Sequence, residues 1–505
     1  APAFAPLAHL DAAARLDLSA RLSADGTLLD ATAILGARAG ALDLGAGRRI
    51  PIAGLDAAAE WRPGELRVPR ATIRLDGPGT PVLAARAEAS QRDGSWTGRA
   101  EATLDAAPLA YLARWWPEGL GSGERDWILS NITAGTARNG RWTVEAEAGP
   151  DLAGFRITAL AGTMEVADAT VHWLRPIPPV EAAAGRVEFS LTEVTARVSQ
   201  ARQSGTAVQA RDAVLRFLFA PDSVPSAEME IGLAGPVPQV LGVLQHPRLR
   251  LFERRPLALK DPQGTLEGRV TLGFPLLSDL PVEQLRVRAQ GRLRDVRISD
   301  LLLGRNLERG QFELNVDTAG LRVSGTATLA EIQARLGVEM DFRPGPAAQV
   351  VMRETVQARA DVRQLAALGL ASEQVAQGPV GLDVRTERRR NGAGRVTVRA
   401  DLREATLELG PVGWGKPPGQ NAGGDAVLRL AGESLEAIEN FRIEAPGLLL
   451  RGNAAFGRGT RLERVTIADG QVEASRFTGE ARPPARPDAP WTVAIRGALL
   501  DLRRA

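Results

Sequence analysis

Between Leu285 and Arg294 the chain alternates without a break: Leu285, Val287, Ala289, Gly291 and Leu293 are apolar or small, while Arg286, Arg288, Gln290, Arg292 and Arg294 are polar. A period of two marks a strand with one apolar and one wet face, and no helix carries it. The pattern returns at Leu321, Val323, Gly325, Ala327 and Leu329 against Arg322, Ser324, Thr326 and Thr328. It returns again at Val396, Val398, Ala400 and Leu402 against Arg395, Thr397, Arg399 and Asp401. A chain written this way is confined to antiparallel sheet whose two sides differ. Asp25-Gly26, Asp93-Gly94, Asn139-Gly140, Asn391-Gly392 and Asp469-Gly470 punctuate the runs, and each is expected at a hairpin tip. At about 12 residues per strand and turn, the chain holds roughly 30 to 40 strands.

Helical patterns are short and few: PLAYLARWW from Pro108, ERDWILSNI from Glu124, PVPQVLGVL from Pro236 and VRQLAALG from Val362. Ser122 is placed to cap the second, with Gly135 closing the turn after it, and Asp361 to cap the fourth. All four read as plugs or lids on sheet ends. The expected organisation is a β segment over 1–105, a Trp-rich helical insertion over 106–145 and a long repetitive β body over 146–505. The opening APAFAPLAHL has neither an initiator Met nor the features of a signal peptide, and the closing GALLDLRRA stops abruptly after a strand-like run, so the chain is expected to be a piece that continues beyond both ends.

Chemistry finds few footholds. There is no cysteine, which excludes disulfides and thiolate chemistry. His9, His172 and His246 sit in unrelated contexts, no pair has metal-ligand spacing, and no catalytic residue, metal ligand or cofactor is nominated. Gly410, Gly415 and Lys416 imitate a phosphate loop, but Pro417 stands where the magnesium-binding hydroxyl belongs, so a Gly/Pro loop is expected there. With 62 Lys plus Arg against 60 Asp plus Glu, the net charge is only +2, and the arginines are scattered, which argues against nucleic acid as a partner. Arg388, Arg389 and Arg390 abut Asn391-Gly392 and read as a solvated tip, with contact to anionic headgroups as the second choice. Asn131-Ile132-Thr133 is a formal glycosylation sequon at an apparent helix end.

What remains is apolar surface. Two sheets can close their apolar faces on each other as a sandwich, or one sheet can curl and leave its face open to hydrocarbon. Aromatics are only 4% of the chain, and small Ala and Gly on the inner face suit the open form because they leave room. The residues expected to line such a groove are Leu285, Val287, Leu293, Phe312, Leu314, Val316, Leu321 and Val323. In a sandwich the same eight are sheet core.

Two segments carry a family resemblance. LARWWPEGLGSGERDWILSN from Leu112, followed by ITAGTARNGRW, resembles a signature of the YhdP branch of the AsmA-like superfamily: Trp116-Pro117, Trp127 and Ala134-Gly135 match its Trp-Pro turn, central helix Trp and small-residue turn. LRPIPPVEAAAGRVEFS resembles a second, through Pro178, Pro179, Val180, Glu181 and Gly185. Trp115, Trp116 and Trp127 are expected to pack as a structural plug under the turn at Pro117. The resemblance covers most of the chain after about Glu101 and supplies no catalytic residues. It implies a periplasmic protein, anchored to the inner membrane by a segment not present here, whose groove holds phospholipid acyl chains and supports transport between inner and outer membranes. The expectation is therefore an all-β fold: an elongated antiparallel sheet curled into a hydrophobic groove, with a few short α-helices and no enzymatic activity. The alternative is a scaffold that assembles envelope proteins through its strand edges, with such proteins as partners. A structural adhesin-type module with a closed dry core is a further rival.

Overall fold

The computed structural model describes residues 9–43, 48–116, 122–150, 154–219, 223–249, 259–277, 284–302, 304–368, 370, 373–432, 434–457, 461–484 and 490–499. Among them the chain is all-β, with 29 strands and four short α-helices. All strands but three belong to one 26-stranded antiparallel sheet. Two compact units divide the chain: Ala1–Gly235 with Gln239–Glu253 and Arg269–Arg286, and Pro236–Pro238 with Arg254–Gly268 and Val287–Ala505.

The first unit is built on β1 (Leu10–Leu22), β2 (Leu28–Asp43), β3 (Arg49–Arg62), β4 (Glu65–Leu75), β5 (Val82–Arg92), β6 (Ser95–Pro108), α1 (Leu112–Trp115), α2 (Ser122–Asn131), β7 (Ile132–Ala148), β8 (Arg156–Val171), β9 (Val180–Ser190), β10 (Glu193–Gln203), β11 (Gln209–Leu218) and β12 (Ser226–Pro236). Each strand pairs with the next in sequence, so the unit is a plain meander. Next come α3 (Val237–Leu244) and β13 (Lys260–Pro275), which contribute residues to both units.

The second unit is built on β14 (Arg286–Leu302), β15 (Arg305–Asp317), β16 (Gly320–Leu329), β17 (Ile332–Asp341), β18 (Val350–Asp361), α4 (Val362–Ala366), β19 (Ala376–Gln377), β20 (Pro379–Arg389), β21 (Ala393–Asp401), β22 (Thr406–Leu409), β23 (Trp414–Lys416), β24 (Gly423–Ala431), β25 (Ser434–Ala445), β26 (Leu448–Gly457), β27 (Arg461–Val472), β28 (Ser475–Arg482) and β29 (Thr492–Leu499). It too is a meander, except that β19, β22 and β23 leave the main sheet and form a three-stranded one beside it.

Turn chemistry explains most of the punctuation. Asp93 and Gly94 are both left-handed, at φ 50° and 81°, and make the two-residue link between β5 and β6. Asp25-Gly26 and Asn391-Gly392 also lie between paired strands. Asn139-Gly140 and Asp469-Gly470, expected as hairpin tips, instead lie inside β7 and β27 beside shifts of register. An Asx residue that tolerates the left-handed region serves a β-bulge as well as a turn, and local sequence does not separate the two. Gly135, expected to close a helix, is likewise within β7 at φ 117°.

The four expected helices are present. Asp361 caps α4 through a full capping box: its carboxylate accepts from Arg363 N at 3.0 Å, and Gln364 Oε1 accepts from Asp361 N at 2.9 Å. Ser122, expected as a cap, is the first helical residue of α2. Trp115 is buried, donating from Nε1 to Asp76 O at 3.0 Å, and Trp116 is half-buried. Trp127 is 48% exposed and takes no part in the expected plug, because the turn of α2 that carries it faces solvent. Pro117 lies outside the described residues. Pro178 and Pro179 precede β9 and accept through their carbonyls from Gln203 Nε2, at 2.6 Å and 3.3 Å. Gly185 lies in β9 against the backbone of Arg197, where no side chain would fit.

Candidate functional site

Because successive residues of a strand point to opposite sides, directly paired residues share a face, and a row of pairs crosses the sheet perpendicular to its strands. One such row in the second unit runs Leu293, Phe312, Gly325, Leu336, Val356, Val384, Val398, Ala426, Phe441, Gly452, Ile467, Gly479 and Ile495. It takes one residue from each strand of the meander from β14 to β29 and meets no polar side chain. None of these residues is sealed. The first twelve are half-buried, and Ile495 is 51% exposed.

The first unit carries its own row: Leu16, Leu35, Ala57, Ala71, Ala85, Ala102, Trp142, Gly162, Phe189, Val194, Phe217 and Ala227. It crosses β1 to β12, again without a polar side chain, and only Gly162 and Ala227 are buried. The faces of a sandwich would seal such rows.

The rows are shallow as well as apolar. Rings lie down over glycines of their own and the neighbouring strand: a Cβ at Gly310 would fall 2.6 Å from Phe312 Cε2, and one at Gly325 would fall 2.8 Å from Phe312 Cδ1. Trp142 covers Gly140 and Gly162 in the same manner, and its ring centroid is 6.4 Å from that of Phe189. Glycine was expected to leave room on this face. The structure fills that room with a recumbent ring, which smooths the surface.

All eight residues expected to line the groove are half-buried, and the seven that lie in strands share this apolar side. Leu293 faces Phe312, Leu314 faces Val323, and Val316 faces Leu321, while Val287 lies on the same side of β14 and Leu285 just ahead of it. Sequence reading stopped at β16. It missed Val356, Val384, Phe441 and Ile467, although the alternation noted from Arg395 to Leu402 carries the row onward through Val398.

Arg388 departs from its expected place in a solvated tip. In β20 it has the parity of Val380, Leu382 and Val384, so it projects from the apolar side. Arg389 and Arg390 are exposed, and Arg390 donates to Arg343 O at 2.7 Å and Gln349 Oε1 at 2.9 Å.

The opposite side is a lattice of ion pairs such as Arg322–Glu339 at 3.0 Å and Arg353–Glu387 at 3.2 Å. A cavity of about 900 Å³ in the second unit is lined by triplets such as Arg292, Leu293, Arg294 and Gln311, Phe312, Glu313. Most of its lining side chains are polar alternates, with Leu293, Phe312, Gly325 and Leu336 of the row among the rest.

One end of the apolar side is closed. Ala360, Val362, Leu365, Val380, Leu407 and Trp414 form a buried cluster where α4 and the small sheet cover the strand ends. Lys416, the lysine of the phosphate-loop imitation, is 2% exposed and donates from Nζ to the carbonyls of Leu402, Arg403 and Ala405 at 2.9, 2.8 and 2.6 Å. Burial pushes its pKa down, against a smaller upward pull from Glu404 and Asp401. It locks a loop and faces no ligand site.

The histidines are scattered: His9 Nδ1 meets Asp43 O at 2.7 Å, His172 Nε2 meets Thr133 Oγ1 at 3.4 Å, and His246 Nδ1 accepts from Arg248 N at 3.1 Å. Asn131 of the sequon ends α2, and its side chain donates to Trp127 O at 2.9 Å. Among the described residues no group of three or more His, Cys, Asp or Glu is placed to hold a metal, and no helix is long and apolar enough to cross a membrane. Comparison with known proteins finds no family model and no curated protein that matches this chain.

Proposed function

We propose that the apolar side of the sheet is a bed for hydrocarbon chains, and that the protein is a non-enzymatic lipid-binding conduit of the bacterial envelope. The observation that carries this reading is the row from Leu293 to Ile495, thirteen strands of paired apolar residues with none sealed. At about 4.8 Å per strand the row is ~58 Å long. One leaflet of a bilayer is about 15 Å of hydrocarbon, so the row has length for three or four acyl chains end to end. Each methylene removed from water contributes about 0.8 kcal/mol, and neighbouring positions offer nearly equal surface, so a chain can slide without bond chemistry. A curl of the sheet around the chains would complete such a groove. The resemblance to the YhdP branch supports the same reading and adds its setting, the periplasm between inner and outer membranes, with phospholipid as cargo.

Lipid extraction of the purified chain, followed by mass spectrometry, tests it. Co-purifying phospholipid, or uptake of phospholipid from vesicles, supports the conduit. A lipid-free protein that takes up none from vesicles overturns it, and such a protein that captured an extended peptide would favour the strand-edge scaffold.

A further inference from the structure

The row from Leu293 to Ile495 has two parallel neighbours on its hairpin-tip side. The nearer runs Gly291, Leu314, Val323, Val338, Glu354, Thr386, Val396, Leu428 and on to Val493. The farther runs Ala289, Val316, Leu321, Met340, Met352, Arg388, Gly394, Leu430 and Leu435. Glu354 and Arg388 are the charged residues in these three rows, and they stand diagonally across the β18–β20 pair.

Their contact is loose. Arg388 Nε is 4.0 Å from a Glu354 carboxylate oxygen and has no hydrogen-bond partner, whereas Arg353–Glu387 on the opposite side closes to 3.2 Å. The side chains remain 38% and 31% exposed, although Arg388 Nε itself is buried. Thr386, directly opposite Glu354, adds a hydroxyl. Val356 and Val384 continue the main row beside them unbroken. The other end of these strands is closed by α4 and Trp414, which leaves the hairpin-tip side as the approach.

A cation beside an anion on a hydrocarbon surface is complementary to a phosphate beside an ammonium. A purely anionic head would gain Arg388 and be repelled by Glu354. We infer that Arg388 and Glu354 form a headgroup station for a zwitterionic phospholipid, with the phosphate at Arg388, the ammonium at Glu354 and the tail laid along Val356 and Val384. This rests on the hydrocarbon-bed reading and names the lipid class within it.

The test loads the full chain from vesicles holding equal parts of phosphatidylethanolamine and phosphatidylglycerol with identical acyl chains, and quantifies bound lipid by mass spectrometry. The wild type should enrich the zwitterionic lipid roughly two- to fivefold, the discrimination a partly exposed ion pair supplies. Glu354→Gln should shift the bound mixture toward the anionic lipid. The double variant R388M/E354M should lose the enrichment, its bound lipid mirroring the vesicles. Diacylglycerol, which has no charged head, should load equally into all of them, and circular dichroism should report an unchanged fold. Bound lipid that mirrors the vesicles in the wild type, or a ratio unmoved in either variant, overturns the headgroup station while leaving the hydrocarbon bed standing. A wild type that takes up neither phospholipid nor diacylglycerol overturns both.

Discussion

Phe312 in β15 lies directly opposite Gly325 in β16, where a Cβ would overlap Gln311 O and fall 2.8 Å from both the Cα and the ring Cδ1 of Phe312. The glycine is what lets the ring recline. Gly325→Ala should therefore push against the Gln311 carbonyl as well as displace the ring, and cost at least about 1–3 kcal/mol, the usual penalty of overpacking. Denaturant unfolding measures it. In the double variant G325A/F312L a smaller side chain relieves the ring's share of the clash but not that of the Gln311 carbonyl, so the two changes should cost less together than their sum while G325A stays destabilising. Additive costs would show that ring and glycine are independent.

The hydrocarbon bed makes a face-specific prediction. Asp at Val323, Val384 or Val398 places a carboxylate in or beside the main row, where acyl contact would desolvate it, and should lower lipid loading about tenfold. Asp at Ser324, one residue from Val323 but on the polar side, should change loading little. Circular dichroism checks that each variant keeps its strands. Equal loss from both sides would mean that lipid does not follow the apolar row.

How much of this was legible beforehand follows from parity. Alternation is local, so the strands and their two faces could be read directly, and the Asp361 cap needed only the first turn of α4. Arg388 was readable in principle, since it is in phase with Val380, Leu382 and Val384, but the adjoining arginines and the Asn391-Gly392 turn suggested a wet tip. Bulges at Asn139 and Asp469 were not readable, because left-handed Asx residues serve turns and bulges alike and only the partner strand decides. The continuity of the row was not readable either. It depends on the register of twelve successive pairings, which no single strand encodes.

The cap on α4 should be sensitive to acid. Backbone and side-chain hydrogen bonds from Arg363 hold the Asp361 carboxyl below its usual range, so its contribution is complete above the unfolded value near about 3.9 and fades as pH falls through the lower folded value. Asp361→Asn keeps a capping oxygen without the titration. The melting temperature of the wild type minus that of the variant should therefore shrink as pH falls from about 5 to below about 3. A difference that stays constant over that range would show that the carboxylate charge contributes nothing to the cap.

Lys416 gives the opposite sign at the other end of the scale. Burial lowers its pKa in the folded chain, so between the folded and unfolded values the unfolded chain binds more protons, and stability rises with pH across that interval. The chain is suited to seeing this, because it has one tyrosine, no cysteine, and Lys260 as its other lysine. Lys416→Met abolishes the titration and strands three carbonyls, those of Leu402, Arg403 and Ala405, at a cost of about 2 kcal/mol or more near neutral pH. Denaturant midpoints from about pH 8 to about pH 11 should rise in the wild type relative to the variant. Parallel curves would mean that the ammonium is not desolvated. A variant as stable as the wild type at neutral pH would mean that the three hydrogen bonds do not hold the loop that closes this end of the apolar side.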